Sequence, residues 1–144
     1  MELAFSMLHP DAKIPHYAHD GDAGMDLVAV DEQILAPGGG RAMISTGLAV
    51  AIPEGFAGLV LPRSGLATRH GVTCANSPGL IDSGYRGEVR VALVNHDPEV
   101  PYHVHPGDRV AQLVIVAVPA VSPRLVAALP DTARGTGGFG STGR

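Results

Sequence analysis

Two carboxylates, Asp22 and Asp26, stand four positions apart around Gly24 in the run Asp22-Ala23-Gly24-Met25-Asp26-Leu27. Carboxylate oxygens suit a hard cation such as Mg²⁺, held through retained waters; they equally well solvate a turn before a strand. Pro62-Arg63-Ser64-Gly65-Leu66-Ala67 sets a guanidinium, a small hydroxyl and a bare backbone in succession. These offer a planar fork, a hydroxyl donor and amide donors to one phosphate group, and a helical turn beginning here adds free N–H groups. A serine capping a surface helix accounts for Ser64 but has no use for Arg63.

The run from Asn76 to Glu88 carries glycines at 79, 84 and 87, which suggest a tight β-hairpin able to present backbone amides to a planar ligand. Asp82 within it is a candidate general base, taking a proton from water before attack on phosphorus. Asn76 offers both a donor and an acceptor to a base edge. An ordinary hairpin with Tyr85 packed over it explains any one of these residues, but less well the set. In Pro106-Gly107-Asp108-Arg109-Val110-Ala111-Gln112-Leu113 a turn feeds an apolar strand. Gln112 is polar within that strand and needs a partner, so it is placed facing a ligand, while Asp108 and Arg109 are expected to form a structural ion pair. Near the C-terminus, Arg134 to Gly143 contains a formal GxGxxG. A dinucleotide fold needs a strand before that pattern and a helix after it, and neither is present. A glycine arm folding over a phosphate chain, with Arg134 as cation and Phe139 as stacking surface, competes with plain disorder.

The elements that must position these groups are mostly strands. Glu2–Leu8, Gly24–Val30, Ala42–Ile52, Ala57–Leu61, Glu88–Asn95 and Arg109–Val118 read as strands, with a turn at Pro53-Glu54-Gly55. Val89, Val91 and Leu93 share one face, with Arg90 on the other. Arg109–Val118 is apolar on both faces, as a strand inside a sandwich or an interface must be. Helical turns are expected only near Arg63–His70 and Val121–Leu129, and Pro123 interrupts the second. Short strands punctuated by 19 Gly and 12 Pro predict an all-β, single-domain, jelly-roll-like sandwich or distorted barrel over residues 1–133. Residues 134–144, rich in Gly, Ser and Thr, read as a flexible arm.

Composition narrows the classes of function. The chain has 144 residues, enough for one domain, and 45% hydrophobic residues without any Trp, so small aliphatics must fill its core. The net charge of −4 argues against a broad grip on nucleic acid. Of its ten basic residues nine are Arg and only Lys13 is Lys, and a guanidinium fork binds phosphate oxygens in pairs. One cysteine, Cys74, excludes an intramolecular disulfide framework. The N-terminal run lacks a signal-peptide pattern and no stretch reaches the roughly 18 apolar residues of a membrane span. A cytoplasmic location is expected.

PRSGLA, IDSGYRGE, GDRVAQL and RGTGGFGSTG, in that order, together with HDGDAGMDL, resemble the five motifs of the homotrimeric dUTPase family, in its bacterial form. The likeness runs from about Asp20 to Gly143. It implies hydrolysis of dUTP to dUMP and pyrophosphate, which limits uracil in DNA and supplies dUMP for dTMP synthesis. It implies that Asp82 orients and deprotonates the attacking water, and that Asp26 holds Mg²⁺ through water while the triphosphate ligates the ion directly. By the same likeness Arg63, Ser64, Gly65 and Gln112 contact phosphates. Asn76 and the backbone of Leu80, Ile81 and Arg90 form the uracil and sugar pocket, and Tyr85 lies against deoxyribose. Arg134 and Phe139 belong to the arm that closes on the γ-phosphate and the base, and three subunits share each site.

Three other readings compete. A dCTP deaminase shares the fold, but the IDSGYRGE run follows the dUTPase pattern. A non-catalytic nucleotide binder has no need of Asp82 aimed at a polyanion. A zinc protein rests on seven histidines, yet no HExxH or Cys/His spacing is present; His103 and His105 can share one face of a strand.

Overall fold

The computed structural model describes residues 1–138; Phe139 and the remainder of the expected arm after Gly138 lie outside the described residues. The described chain forms β1 (Ala4–Met7), β2 (Met25–Val28), β3 (Gln33–Leu35), β4 (Gly40–Ala51), β5 (Phe56–Leu61), α1 (Ser64–His70), β6 (Val72–Cys74), β7 (Gly79–Ile81), β8 (Glu88–Asn95), β9 (Tyr102–Val104) and β10 (Arg109–Ala117). One antiparallel sheet runs β1-β4-β8-β6, a second runs β2-β10-β5-β7, and β3 pairs with β9. Leu27, Val60 and Leu113 from the second sheet meet Ile44, Val50, Val91 and Leu93 from the first in one core. Fully burying each such leucine contributes about 1.5–3 kcal/mol, so the sandwich is held by many small aliphatics rather than by aromatics. This is the all-β, jelly-roll-like architecture that the strand pattern predicts.

The alternation in Glu88–Asn95 is realised as read: Val89, Val91 and Leu93 are buried and Arg90 is exposed. Apart from Arg109 and Gln112, β10 is apolar because it is an inner strand, paired with β2 on one side and β5 on the other. β4 carries an irregularity between Ser45 and Ala49. There Gly47 adopts φ +66°, and a Cβ on it would come within 2.6 Å of the His9 Cβ, so the bend requires glycine. Side chains replace the missing ladder bonds. The Gly47 amide donates to Glu88 Oε1 at 2.8 Å and the buried Thr46 hydroxyl donates to the Val89 carbonyl at 2.6 Å. The start of β8 is thereby fixed to the middle of β4.

Three expectations need correction. Residues 82–87 do not close a hairpin: β7 pairs with β5, whereas β8 pairs with β4 and β6. The segment is a crossover between the two sheets. Residues 121–129 form no helix and are exposed, since Pro123 breaks the pattern and no neighbour covers an apolar face. Asp108 does not pair with Arg109. Its Oδ2 accepts the His105 amide at 2.8 Å, closing the turn into β10, and Arg109 reaches elsewhere.

Candidate active site

The first cluster grows from the ends of β2, β5 and β10. Asp26 on β2 stands directly opposite Gln112 on β10, so both side chains leave the same face of the sheet. Gly24 makes room for Gln112: a Cβ there would lie 3.2 Å from the Gln112 Cβ. Just past β5, Arg63 is extended and its Nε lies 3.2 Å from Asp26 Oδ1. Arg63 also donates from Nη1 to the Arg109 carbonyl at 3.1 Å, and Arg109 Nη1 reaches Asp26 Oδ2 at 3.1 Å. Two guanidinium groups on one carboxylate leave the cluster net positive, as a polyanion requires. Arg109 is the member that motif reading missed, because it was assigned to its sequence neighbour.

Asp26 is only 13% exposed. Its Oδ1 is buried and takes part in no hydrogen bond among the described residues, despite the nearby Arg63 Nε. The ion pair is close but the N–H is not aligned with the oxygen, and the oxygen retains a free lone pair. No group of three or more His, Cys, Asp or Glu residues is placed to enclose a metal among the described residues. One carboxylate with an unsatisfied oxygen therefore suits a cation arriving with its own waters and phosphate ligands, which is the habit of Mg²⁺.

Ser64 begins α1 rather than capping it; the cap position is Arg63, with no side-chain cap bond. The leading amides of a helix have no intrahelical partners. Nothing lies within 4 Å of where a Gly65 Cβ would be, so packing within this chain does not demand that glycine. The space above it is open to a ligand.

The second cluster surrounds a cavity of about 380 Å³ lined by Met43, Leu80, Ile81, Asp82, Tyr85 and Arg90, together with Glu88 and Val89. Its size falls within the range of small-molecule sites. Asp82 follows β7, and its carbonyl accepts the Tyr85 amide at 3.1 Å. The Tyr85 hydroxyl donates to the Glu88 carbonyl at 2.9 Å, which lays the ring across Gly87. Met43 and Val89 carry no motif signal of their own; β4 and β8 bring them in. Asn76 lies outside this lining, beside β5, with its Nδ2 3.3 Å from where a Gly79 Cβ would be.

The two clusters are far apart within one chain. Gly58 pairs with Ile81, which sets Asp82 beside Ala57, and both residues line a neighbouring cavity. Arg63 lies six residues further along the extended chain, roughly 20 Å at about 3.3 Å per residue. The structure thus brings Asp26, Arg63 and Gln112 together, and Leu80, Ile81, Asp82, Tyr85 and Arg90 together, but does not join the two sets. Arg134 belongs to neither; its Nε donates to the Gly137 carbonyl at 2.9 Å in a local turn.

Comparison with known proteins follows the same motifs. The family model described as dUTPase matches residues 10–143. The deoxyuridine 5′-triphosphate nucleotidohydrolase of Thermobifida fusca is 54% identical over 136 residues, covering 94% of this chain and 75% of its own. The Mycobacterium tuberculosis enzyme of the same name is 53% identical over 98% of this chain and 94% of its own. Among solved structures, the dUTPase of Staphylococcus bacteriophage 80alpha with dUPNHPP superposes with a TM-score of 0.91 at 29% identity, covering 99% of both chains. A mutant dUTPase from phage phi11 of S. aureus, described with a structural Mg(II) ion, gives 0.82 at 27% identity over 89% of this chain and 98% of its own. A match over nearly the whole length, with relatives identical at more than half of the aligned positions, settles the kinship: the chain belongs to the dUTPase family.

Proposed function

We propose that this chain hydrolyses dUTP to dUMP and pyrophosphate, with Asp82 accepting a proton from the water that attacks the α-phosphorus. The supporting observation is the placement of Asp82 on the wall of a cavity that also holds Tyr85 and Arg90, in a chain of this family. The water oxygen forms the new bond to phosphorus and the bond to the α,β-bridging oxygen breaks. Pyrophosphate leaves with that electron pair. Such chemistry needs positioning and charge neutralisation more than covalent catalysis.

In this reading the nucleoside occupies the Asp82 cavity. The Tyr85 ring lies against deoxyribose and leaves no room for a 2′-hydroxyl, while Asn76 and the backbone of Leu80, Ile81 and Arg90 satisfy uracil. Discrimination by shape alone yields about 1–3 kcal/mol per methyl, so rejection of dCTP rests on hydrogen bonds that cytosine would leave unmade. The triphosphate lies on Arg63, Ser64, Gly65 and Gln112. Arg63 has five N–H donors; it donates to the Arg109 carbonyl and faces Asp26 as an ion pair, leaving others for phosphate oxygens. Asp26 would hold Mg²⁺ through water by its unsatisfied Oδ1, and the ion would supply charge neutralisation on the phosphates.

The roughly 20 Å between the clusters supports a site completed by other copies of the chain, as in a homotrimer. One subunit supplies the phosphate residues, a second the Asp82 cavity, and a third the arm of residues 134–144 with Arg134 and Phe139. The exposed Val121, Leu125 and Leu129 suit contacts between subunits. No described helix is long and apolar enough to cross a membrane, and the single free thiol fits a cytoplasmic setting.

The test is pyrophosphate release from dUTP, dTTP, dCTP and UTP, with and without Mg²⁺, for the wild type and Asp82→Asn. Release from dUTP alone, dependent on Mg²⁺ and lost in Asp82→Asn with dUTP binding retained, is expected. Ammonia release from dCTP, or undiminished turnover by Asp82→Asn, contradicts the proposal.

A further inference from the structure

We propose that Arg86 is a positioning residue that holds Asp82 and Tyr85 in their working geometry by gripping the carbonyls of the loop between them; this rests on the reading of those two residues given above. The crossover from 82 to 87 spans two sheets without ladder hydrogen bonds of its own, so something else must fix it. Arg86 Nη1 donates to the Ser83 carbonyl at 2.6 Å and to the Tyr85 carbonyl at 2.7 Å. One terminal guanidinium nitrogen carries two hydrogens, enough to serve both carbonyls. Those carbonyls belong to the residue immediately after Asp82 and to Tyr85 itself. Both peptide planes are therefore turned toward a single cation.

Arg86 stands where the loop meets the other sheet. It lines a cavity together with Phe5, Leu8 and Val50 of the β1–β4 face, which belongs to a different sheet from the one that carries β7. The far end of the loop is held separately, by Glu88 on the Gly47 amide and by the Tyr85 hydroxyl on the Glu88 carbonyl. Between these anchors the Asp82 end has, among the described residues, its turn bond to the Tyr85 amide and the β7 ladder before it. Removing the donors of Arg86 frees the Ser83 carbonyl and, with it, the backbone that aims Asp82. A small displacement of a reacting group lowers turnover by far more than it lowers binding, so the effect belongs in kcat.

The experiment compares Arg86→Met, which keeps the stem without donors, Arg86→Lys, which keeps a multidentate cation, and Asp82→Asn in one dUTP turnover assay, with thermal melts alongside. Arg86→Met is expected to lower kcat roughly 10–100-fold with KM little changed, and Arg86→Lys to recover a substantial part of that loss. Wild-type kcat in Arg86→Met overturns the proposal. So does a loss confined to KM, which would make Arg86 a substrate contact, or an Arg86→Lys as impaired as Arg86→Met. If Arg86→Met does not fold, Arg86→Gln, whose shorter side chain cannot grip both carbonyls, is read in its place by the same criteria. Retained turnover in Asp82→Asn would sink the underlying reading of Asp82, whereas an inactive Asp82→Asn beside a normal Arg86→Met overturns only the role of Arg86.

Discussion

The Tyr85 ring lies directly over Gly87: a Cβ on that glycine would fall 2.6 Å from the Tyr85 Cζ and 3.0 Å from its Cε2. A methyl cannot share that space, so the ring position depends on the absence of a side chain two residues later. Gly87→Ala requires no left-handed backbone, because Gly87 is not among the positive-φ glycines. The substitution should therefore move the ring rather than unfold the loop. Steady-state kinetics should show kcat/KM for dUTP reduced about tenfold or more and the preference for dUTP over UTP narrowed, with the melting temperature nearly unchanged. Unaltered discrimination would remove Tyr85 from sugar selection.

Asp26→Asn removes the charge that holds Arg63 and Arg109 together. Hydrogen bonds to charged groups contribute about 1.5–3 kcal/mol each, and Arg109 is exposed enough for water to compensate part of the loss. Chemical denaturation should show a loss near the lower end of that range. Titration of Mg²⁺ against turnover should move to higher concentration. A wild-type Mg²⁺ dependence would exclude Asp26 as the metal-facing carboxylate.

Deleting residues 134–144 should abolish dUTP turnover while leaving the oligomer and the melting curve intact, since the described Arg134 turn bonds only to itself, through Thr132 and Gly137. Gel filtration beside the turnover assay reads both. Full activity of the truncated protein would reduce the arm to a passive end.

Burial pushes the Cys74 thiol from its ordinary value of 9.0 up to about 11. A raised folded pKa means that burial of the neutral thiol stabilises the fold fully below pH 9, and that this contribution is lost as pH rises through 11. The thiolate is the reactive form. Iodoacetamide at pH 8 should leave the native protein essentially unmodified and label the denatured chain quickly.

Sequence legibility followed element length and locality. Glu88–Asn95 shows several periods of alternation and was read with its true boundaries, whereas Gln33–Leu35, Val72–Cys74, Gly79–Ile81 and Tyr102–Val104 are three residues each, too short for a period to emerge. The glycines of the 79–87 run revealed a reversal of the chain but not the sheet it would join, because that choice is made by pairing with β5 and β4. The Asp26–Arg109 contact joins residues 83 positions apart; nothing local announces it, and the adjacent Asp108 offered a nearer, mistaken partner. Asp82, Arg63 and Gln112 stand out in the sequence by residue type and motif. Their division into two distant groups required the register of the β5–β7 ladder.

That division is the claim most open to direct attack. Arg63→Ala and Asp82→Asn, each prepared alone, should fall to background turnover. When equal amounts are unfolded together and refolded into mixed oligomers, a site drawing Arg63 from one subunit and Asp82 from another is intact with a probability of roughly one quarter in a closed ring. About a quarter of wild-type specific activity should return. If the mixture stays as inactive as its components while mixed oligomers are demonstrably present, both residues serve from the same chain, and the shared site is wrong.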